Sequence, residues 1–225
     1  MDDIKKIEKG NVQYPSQIKE FNNAPPVLYY RGNLDAFTSI CVAVIGKRDV
    51  ELRDLQNAHI AGELLSKNGY TVVNGVARGC DQAALRGVIE AKGKAILVMP
   101  CGLDYIYPAS ARGIVNEILK YGGCLISEYP PETKPQKYMF LQRDRLQAAI
   151  ADKVLIVNAD EKGGTMTTAQ YALRLNKPIA CMAGMDRRIA GNILLTSSNK
   201  AKAVYNTTDV MKFVQESSFV QLSFV

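Results

Sequence analysis

The residues Lys162-Gly163-Gly164-Thr165-Met166-Thr167-Thr168 follow an apolar run at 153–157 and open a helical pattern. Two adjacent glycines and three threonines at a helix start present unpaired backbone N–H groups and hydroxyls, the chemistry of a phosphate-binding turn. An earlier turn, Ile45-Gly46-Lys47-Arg48-Asp49, offers a second set. Gly46 lets a phosphate approach the backbone, and the Arg48 guanidinium is able to clasp it with two parallel hydrogen bonds. The alternative for Arg48 is a plain surface charge. A third stretch carries Lys134, Lys137, Tyr138, Phe140, Arg143 and Arg145. Cations interleaved with aromatic rings suit single-stranded nucleic acid, with phosphates on Lys and Arg and bases stacked on rings. Tyr138 and Phe140 also stand at the helical spacing a core face would use.

Other chemistries find little support. The turn after the first strand lacks G-x-G-x-x-G, and the second strand ends in Asn74 instead of an acid for a ribose hydroxyl, which disfavours a dinucleotide-dependent enzyme. Asp81, at a helix start, reads as a cap or first-turn acid ahead of a catalytic one. The five cysteines are odd in number and show no C-x-x-C spacing; four lie in or beside strands as small buried hydrophobes. Cys80 lies instead in a loop with no evident base. His59 is the single histidine and sits in a helical stretch, so neither a zinc site nor a Ser–His or Cys–His nucleophile is supported. No catalytic residue, metal or cofactor is assigned.

The elements that position these turns alternate. Apolar runs at 41–45, 70–73, 95–98, 124–127, 154–157 and 178–182 are separated by helical patterns at 51–68, 81–92, 109–121, 138–150 and 167–175. That alternation means right-handed crossovers and a doubly wound, mostly parallel sheet with helices on both faces. Ligands then bind at the carboxyl ends of the strands, where the three stretches fall. A short extended piece at 27–30, helices near 192–198 and 209–215 and a small strand at 203–204 complete the pattern. Residues 1–40 are expected to pack as a segment on a main unit of 41–225, one globular domain in all. The 225 residues, 47% hydrophobic and 22% charged, suit a soluble chain. No apolar run approaches the ~20 residues of a membrane span, and residues 1–6 lack a signal-peptide core, so the cytoplasm is the expectation. The net charge is +6, and residues 162–202 hold seven basic residues (Lys162, Arg174, Lys177, Arg187, Arg188, Lys200, Lys202) against the single acid Asp186. This skew flanks the loops after the last two long strands and points to an anionic partner.

Read in order, these motifs resemble the DprA/Smf DNA-processing family. They are Pro25-Pro26 with Arg31-Gly32-Asn33, Ala77-Arg78-Gly79-Cys80-Asp81, Gly102-Leu103-Asp104 with Tyr107-Pro108, and Ser127-Glu128-Tyr129-Pro130-Pro131. Phe140 with Arg143 and Arg145, Gly163-Gly164-Thr165, and Gly191-Asn192 follow downstream. The resemblance implies a Rossmann-like domain that binds single-stranded DNA during transformation, helps load a RecA-type recombinase and acts as a homodimer, without being an enzyme. It carries the binding role onto Arg48, Lys137, Phe140, Arg143, Arg145 and the Gly164-Thr165 backbone. With Gly46, Gly163 and the motif positions Arg78, Gly79 and Asn192 these form the candidate DNA-contacting set. Three places depart from the family pattern: Lys47 stands where Ser or Thr is usual, Asp144 where Asn is usual, and Gly163-Gly164-Thr165 where Ser-Gly-Ser is common. An acid beside a phosphate pocket weakens binding unless neighbouring arginines neutralise it. The sequence holds neither the N-terminal helical domain nor the C-terminal winged-helix domain that many members carry, which suits a minimal member, a trimmed chain or a diverged relative. The alternative function is a nucleotide sensor or a phosphoribohydrolase-like enzyme of the wider relatives. Their loop closes on a Glu, whereas this one continues Thr167-Thr168-Ala169-Gln170, which leaves Glu128 as the acid to test.

Overall fold

Val42 and Val44 face one side of their strand and Cys41, Ala43 and Ile45 the other, and all five are buried. A strand apolar on both faces must be covered on both faces, and the rest of the chain supplies the two layers. The computed structural model describes residues 3–184 and 189–216. In chain order these run β1 (Lys5–Glu8), α1 (Ser16–Lys19), β2 (Val27–Gly32), a 3₁₀ turn (Leu34–Phe37), β3 (Cys41–Ile45), α2 (Leu52–Lys67) and β4 (Thr71–Asn74). Then come α3 (Cys80–Glu90), β5 (Ala95–Val98), a 3₁₀ turn (Ala109–Ala111) leading into α4 (Arg112–Lys120), β6 (Cys124–Ser127) and α5 (Lys137–Ile150). Last are β7 (Lys153–Ile156), α6 (Gly164–Arg174), β8 (Ile179–Met182), α7 (Ala190–Ser197), β9 (Lys202–Val204) and α8 (Thr207–Gln215).

The strands form one nine-stranded sheet in the order β1-β2-β6-β5-β4-β3-β7-β8-β9. Pairing is parallel from β6 through to β9, while β2 runs antiparallel to both β1 and β6. The doubly wound, mostly parallel architecture expected from the sequence is therefore present. The sheet is wider than the six apolar runs suggest. Residues 1–40 contribute two strands of their own, with Tyr29 opposite Ser127 and Gly32 opposite Cys124. β1 escapes a hydrophobic reading because only Ile7 of Lys5-Lys6-Ile7-Glu8 is buried, and charges along an outer strand guard an open edge.

Alternate strand residues feed two cores. One side takes α2, α3, α4 and α8 through Leu65, Leu85, Ile118 and Phe213; the other takes α1, α5, α6 and α7 through Ile18, Leu146, Met166 and Leu195. The helices α2 and α3 lie close because both carry glycine at the contact: a Cβ at Gly62 would stand 2.0 Å from the Ala84 carbonyl oxygen, and one at Gly87 2.0 Å from that of His59. His59 itself pairs with Glu90 across the same two helices at 2.9 Å, a packing role. Among the described residues no helix is long and apolar enough to cross a membrane.

The winding reverses at the centre. From β3 the chain steps to β4 on one side and later to β7 on the other. The turns leaving β3 and β7 therefore diverge and leave a crevice at the carboxyl ends of the strands, where open α/β sheets place their ligands.

Candidate nucleic-acid interface

A cavity of about 590 Å³ occupies that crevice. Gly46, Lys47 and Arg48 of the turn after β3 form one wall, and residues 162–165 before and at the start of α6 form the opposite one. The α5 helix closes a third side with Lys137, Phe140, Leu141, Arg143 and Asp144, and Asp81 of α3 reaches in from below. Arg48, Lys137 and Lys162 are exposed at the mouth. A second hollow of about 460 Å³ adjoins the first and shares Arg48, Lys137 and Phe140 with it, adding Tyr107, Pro135 and Gln136. The Phe140 ring meets Tyr107 edge to face, with centroids 5.3 Å apart and planes at 75°. Phe140 is half-buried and lines both hollows, so helical spacing has put it at the site and not in the core.

Glycines fix the geometry of the turns. Gly163 holds φ at 130°, a backbone state closed to most side chains, and ends the approach to α6. The first bond of that helix runs from the Thr167 amide to the Gly163 carbonyl at 2.9 Å, which leaves the amides of Gly164, Thr165 and Met166 without an intrahelical acceptor. The helix begins three residues earlier than its sequence pattern suggests, and this corrects the role of the threonines. Thr167 and Thr168 donate their hydroxyls back to the Gly163 and Gly164 carbonyls at 3.0 and 3.1 Å, so Thr165 alone keeps a hydroxyl for an anion. A Cβ on Gly46 would stand 2.5 Å from the Cys80 sulfur. One on Gly79 would stand 2.4 Å from the carbonyl oxygens of both Lys47 and Arg48. Gly79 thus lets α3 begin against the Arg48 turn without lining the cavity.

The floor is acidic as well as basic. Arg143 is buried, donates from Nε to Asp144 Oδ1 at 2.9 Å, and lies over Gly75 so closely that a Cβ there would be 1.2 Å from its Nη1. Asp81 Oδ2 accepts the amides of Gly75 and Ala77 at 3.2 and 3.3 Å. Burial pushes the Asp81 carboxyl up to about 6, although Arg143 and those two amides pull it down. Burial likewise raises Asp144, against the pull of Arg143 and Arg48. The Cys80 thiol is driven up to about 12 by burial, with the Asp81 and Asp54 charges adding to it, so it holds its proton at neutral pH and is no nucleophile. Since folding raises Asp81 from 3.8 to about 6, the folded chain binds this proton more tightly than the unfolded chain. Its contribution to stability is full below pH 3.8 and is lost as pH rises through about 6. Urea melts at pH 4.5 and 7 are expected to show a wild-type decline that Asp81→Asn lacks, by roughly 2 kcal/mol. An equal decline in both proteins would remove Asp81 as its source.

The structure brings Gly46, Arg48, Lys137, Phe140, Arg143, Gly163, Gly164 and Thr165 to this one cavity. Four other expected contacts lie elsewhere. Arg78 is exposed and does not line the cavity, and Gly79 serves the packing just described. Arg145 points away: its Nη2 donates to both oxygens of Glu128 at 2.6 and 2.9 Å, its Nη1 to the Asn23 carbonyl at 2.7 Å, and its guanidinium lies over the Phe21 ring. Asn192 is buried and spent on backbone, accepting from Ala159 and donating to the Val157 and Met182 carbonyls, which ties the ends of β7 and β8 together.

The basic skew of residues 162–202 does not converge either. Lys162 alone of the described set lines the cavity; Lys202 pairs with Glu216, Arg174 lies over Tyr171, and Arg187 and Arg188 fall outside the described residues. Lys47, an unexpected cation, forms an ion pair with Asp160 across the crevice at 2.8 Å. Asp81, read from the sequence as a cap or first-turn acid, stands in the first turn of α3 on the floor, and Gln147 beside it was not singled out. Gly75, a glycine directly after β4, makes room for the buried Arg143.

The family model for DNA recombination-mediator protein A matches residues 5–215. The chain is 29% identical over 216 residues to the DNA processing protein DprA of Bacillus subtilis, covering 95% of this chain and 72% of that protein. It is 32% identical over 166 residues to Protein Smf of Borreliella burgdorferi, where it spans 53% of that protein's length. Among solved structures, DNA processing protein A from Helicobacter pylori, described for its unique single-stranded DNA binding mode, matches with a TM-score of 0.85. The identity is 28%, over 95% of this chain and 98% of that one. The molybdenum cofactor binding protein of Rippkaea orientalis, at 17% identity and a TM-score of 0.58, shares the fold.

Proposed function

We propose, for a chain that belongs to the DNA recombination-mediator protein A family, that the cavity between the β3 and β7 turns grips single-stranded DNA by its phosphates. The protein then acts by binding and not by covalent chemistry. One observation carries the reading: Arg48, Lys137, Lys162 and the open amides of α6 converge on a single hollow walled by the Phe140 ring. Cations and helix-start amides hold phosphates, and the ring stacks a base without regard to sequence. The single-stranded DNA binding described for the Helicobacter pylori protein supports the same assignment. Handing the strand to a RecA-type recombinase, and doing so as a homodimer, belong to this proposal and rest on the family.

The test is fluorescence anisotropy of a labelled oligonucleotide as salt is raised. With three cations at the mouth, log K is expected to fall with log salt at a slope of about −2, from ~0.7 per phosphate neutralised on a single strand. No anisotropy change at low salt overturns the reading. A nucleotide-cleaving reading draws on one observation, the Asp81 carboxyl poised near neutrality inside a cavity. Both of its backbone contacts hold it as a turn-bracing acceptor, and AMP incubated with the protein is expected to release no free base.

A further inference from the structure

The mouth of the cavity is cationic, yet its floor holds two buried carboxylates, Asp81 and Asp144. For a site that takes phosphate alone those charges are purely repulsive, and about 590 Å³ is far more room than a phosphate fills, within the range of sites that enclose a ligand of several rings. We propose that the Arg143–Asp144 pair on this floor reads the edge of an inserted base and selects guanine; this rests on the single-stranded DNA reading of the same cavity.

The pair is a donor and an acceptor fixed side by side. Arg143 Nε is committed to Asp144 Oδ1 at 2.9 Å, and its Nη1 reaches the Val98 carbonyl only at 3.5 Å. Among the described residues no hydrogen bond reaches Arg143 Nη2 or Asp144 Oδ2. Asp144 Oδ2 lies 3.5 Å from where a Cβ on Gly164 would be, so it faces the α6 end of the cavity, beneath the amides assigned to phosphate. Asp81 braces the turn after β4, its Oδ2 accepting two backbone amides. A guanidinium beside a carboxylate complements a base edge that shows an acceptor beside donors. Guanine shows O6 next to N1–H and the N2 amine. Thymine shows N3–H between two carbonyl oxygens, which a carboxylate repels, while adenine and cytosine set a single amine beside a ring-nitrogen acceptor, one donor fewer than guanine. Carboxylates accept and never donate when ionised, so the preference has a fixed sign.

The experiment measures anisotropy for thymine strands, for thymine strands carrying isolated guanines, and for the same strands with inosine in place of guanine. Wild type is expected to bind the guanine strands about tenfold tighter than thymine alone, the scale of a bidentate base contact. Inosine, which lacks the N2 amine, is expected to lose most of that gain; this arm leaves the protein untouched, so folding does not enter. Asp144→Asn, its fold checked by circular dichroism, removes a negative charge and adds a donor. Its guanine-to-thymine ratio is expected to fall towards one. Equal wild-type affinity for guanine and thymine strands, or a ratio unchanged in Asp144→Asn, overturns the inference. Competition by free GMP over TMP with no strand binding would overturn the DNA reading and keep the base selection. Failure of every strand and of GMP to bind would overturn both.

Discussion

Converting Arg48 and Lys137 together to alanine is expected to weaken single-stranded DNA binding by about a hundredfold or more at moderate salt. Each charged contact is worth about 1.5 kcal/mol or more, and the two sit on the ridge shared by both hollows. The slope of log K against log salt should flatten by about 1.4, from ~0.7 per lost phosphate contact. Both side chains are exposed, so the melting temperature should hardly move, which separates lost contacts from lost fold. Unchanged affinity with an unchanged slope would mean that the strand runs elsewhere.

Arg145→Ala is expected to show the opposite profile, a loss of stability with little change in affinity per folded molecule. The Arg145 and Glu128 side chains are only 13% and 10% exposed. Removing the guanidinium strands a buried carboxylate and frees the segment around Phe21 and Asn23 that Arg145 fastens to α5. The cost of such an orphaned charge is about 3 kcal/mol, a large part of a typical 5–15 kcal/mol total. A fall in melting temperature of roughly 6–12 °C follows for a chain of this size. Adding Glu128→Ala should return part of the loss, because the stranded charge then disappears. A tenfold loss of DNA affinity in Arg145→Ala with unchanged melting would restore Arg145 as a DNA contact.

The two arginines show where sequence reading reaches its limit. Arg143 and Arg145 sit two residues apart on one helix, and residues so spaced face different directions. Nothing local says which one turns into the crevice; that is set by Gly75 and Glu128, both distant in the chain. Asn192 is a similar case, since its carbonyl partners lie 10 and 35 residues away. The central strands were legible because they are buried on both faces, and their alternation with helices placed a ligand at the strand carboxyl ends, whereas the crevice between the β3 and β7 turns depends on the spatial strand order. The Gly163-Gly164 turn was legible because glycine pairs ahead of a helix have few uses. β1 was not, because a charged outer strand with one buried residue gives no periodic signal.

With Arg143 filling the space above residue 75, the two positions behave as a single unit of volume. Any side chain at 75 must evict the guanidinium, whereas trimming 143 to a small residue would vacate room for one. A side chain at 75 is therefore admitted only together with a smaller residue at 143, and lineages that placed one there should carry the matching change.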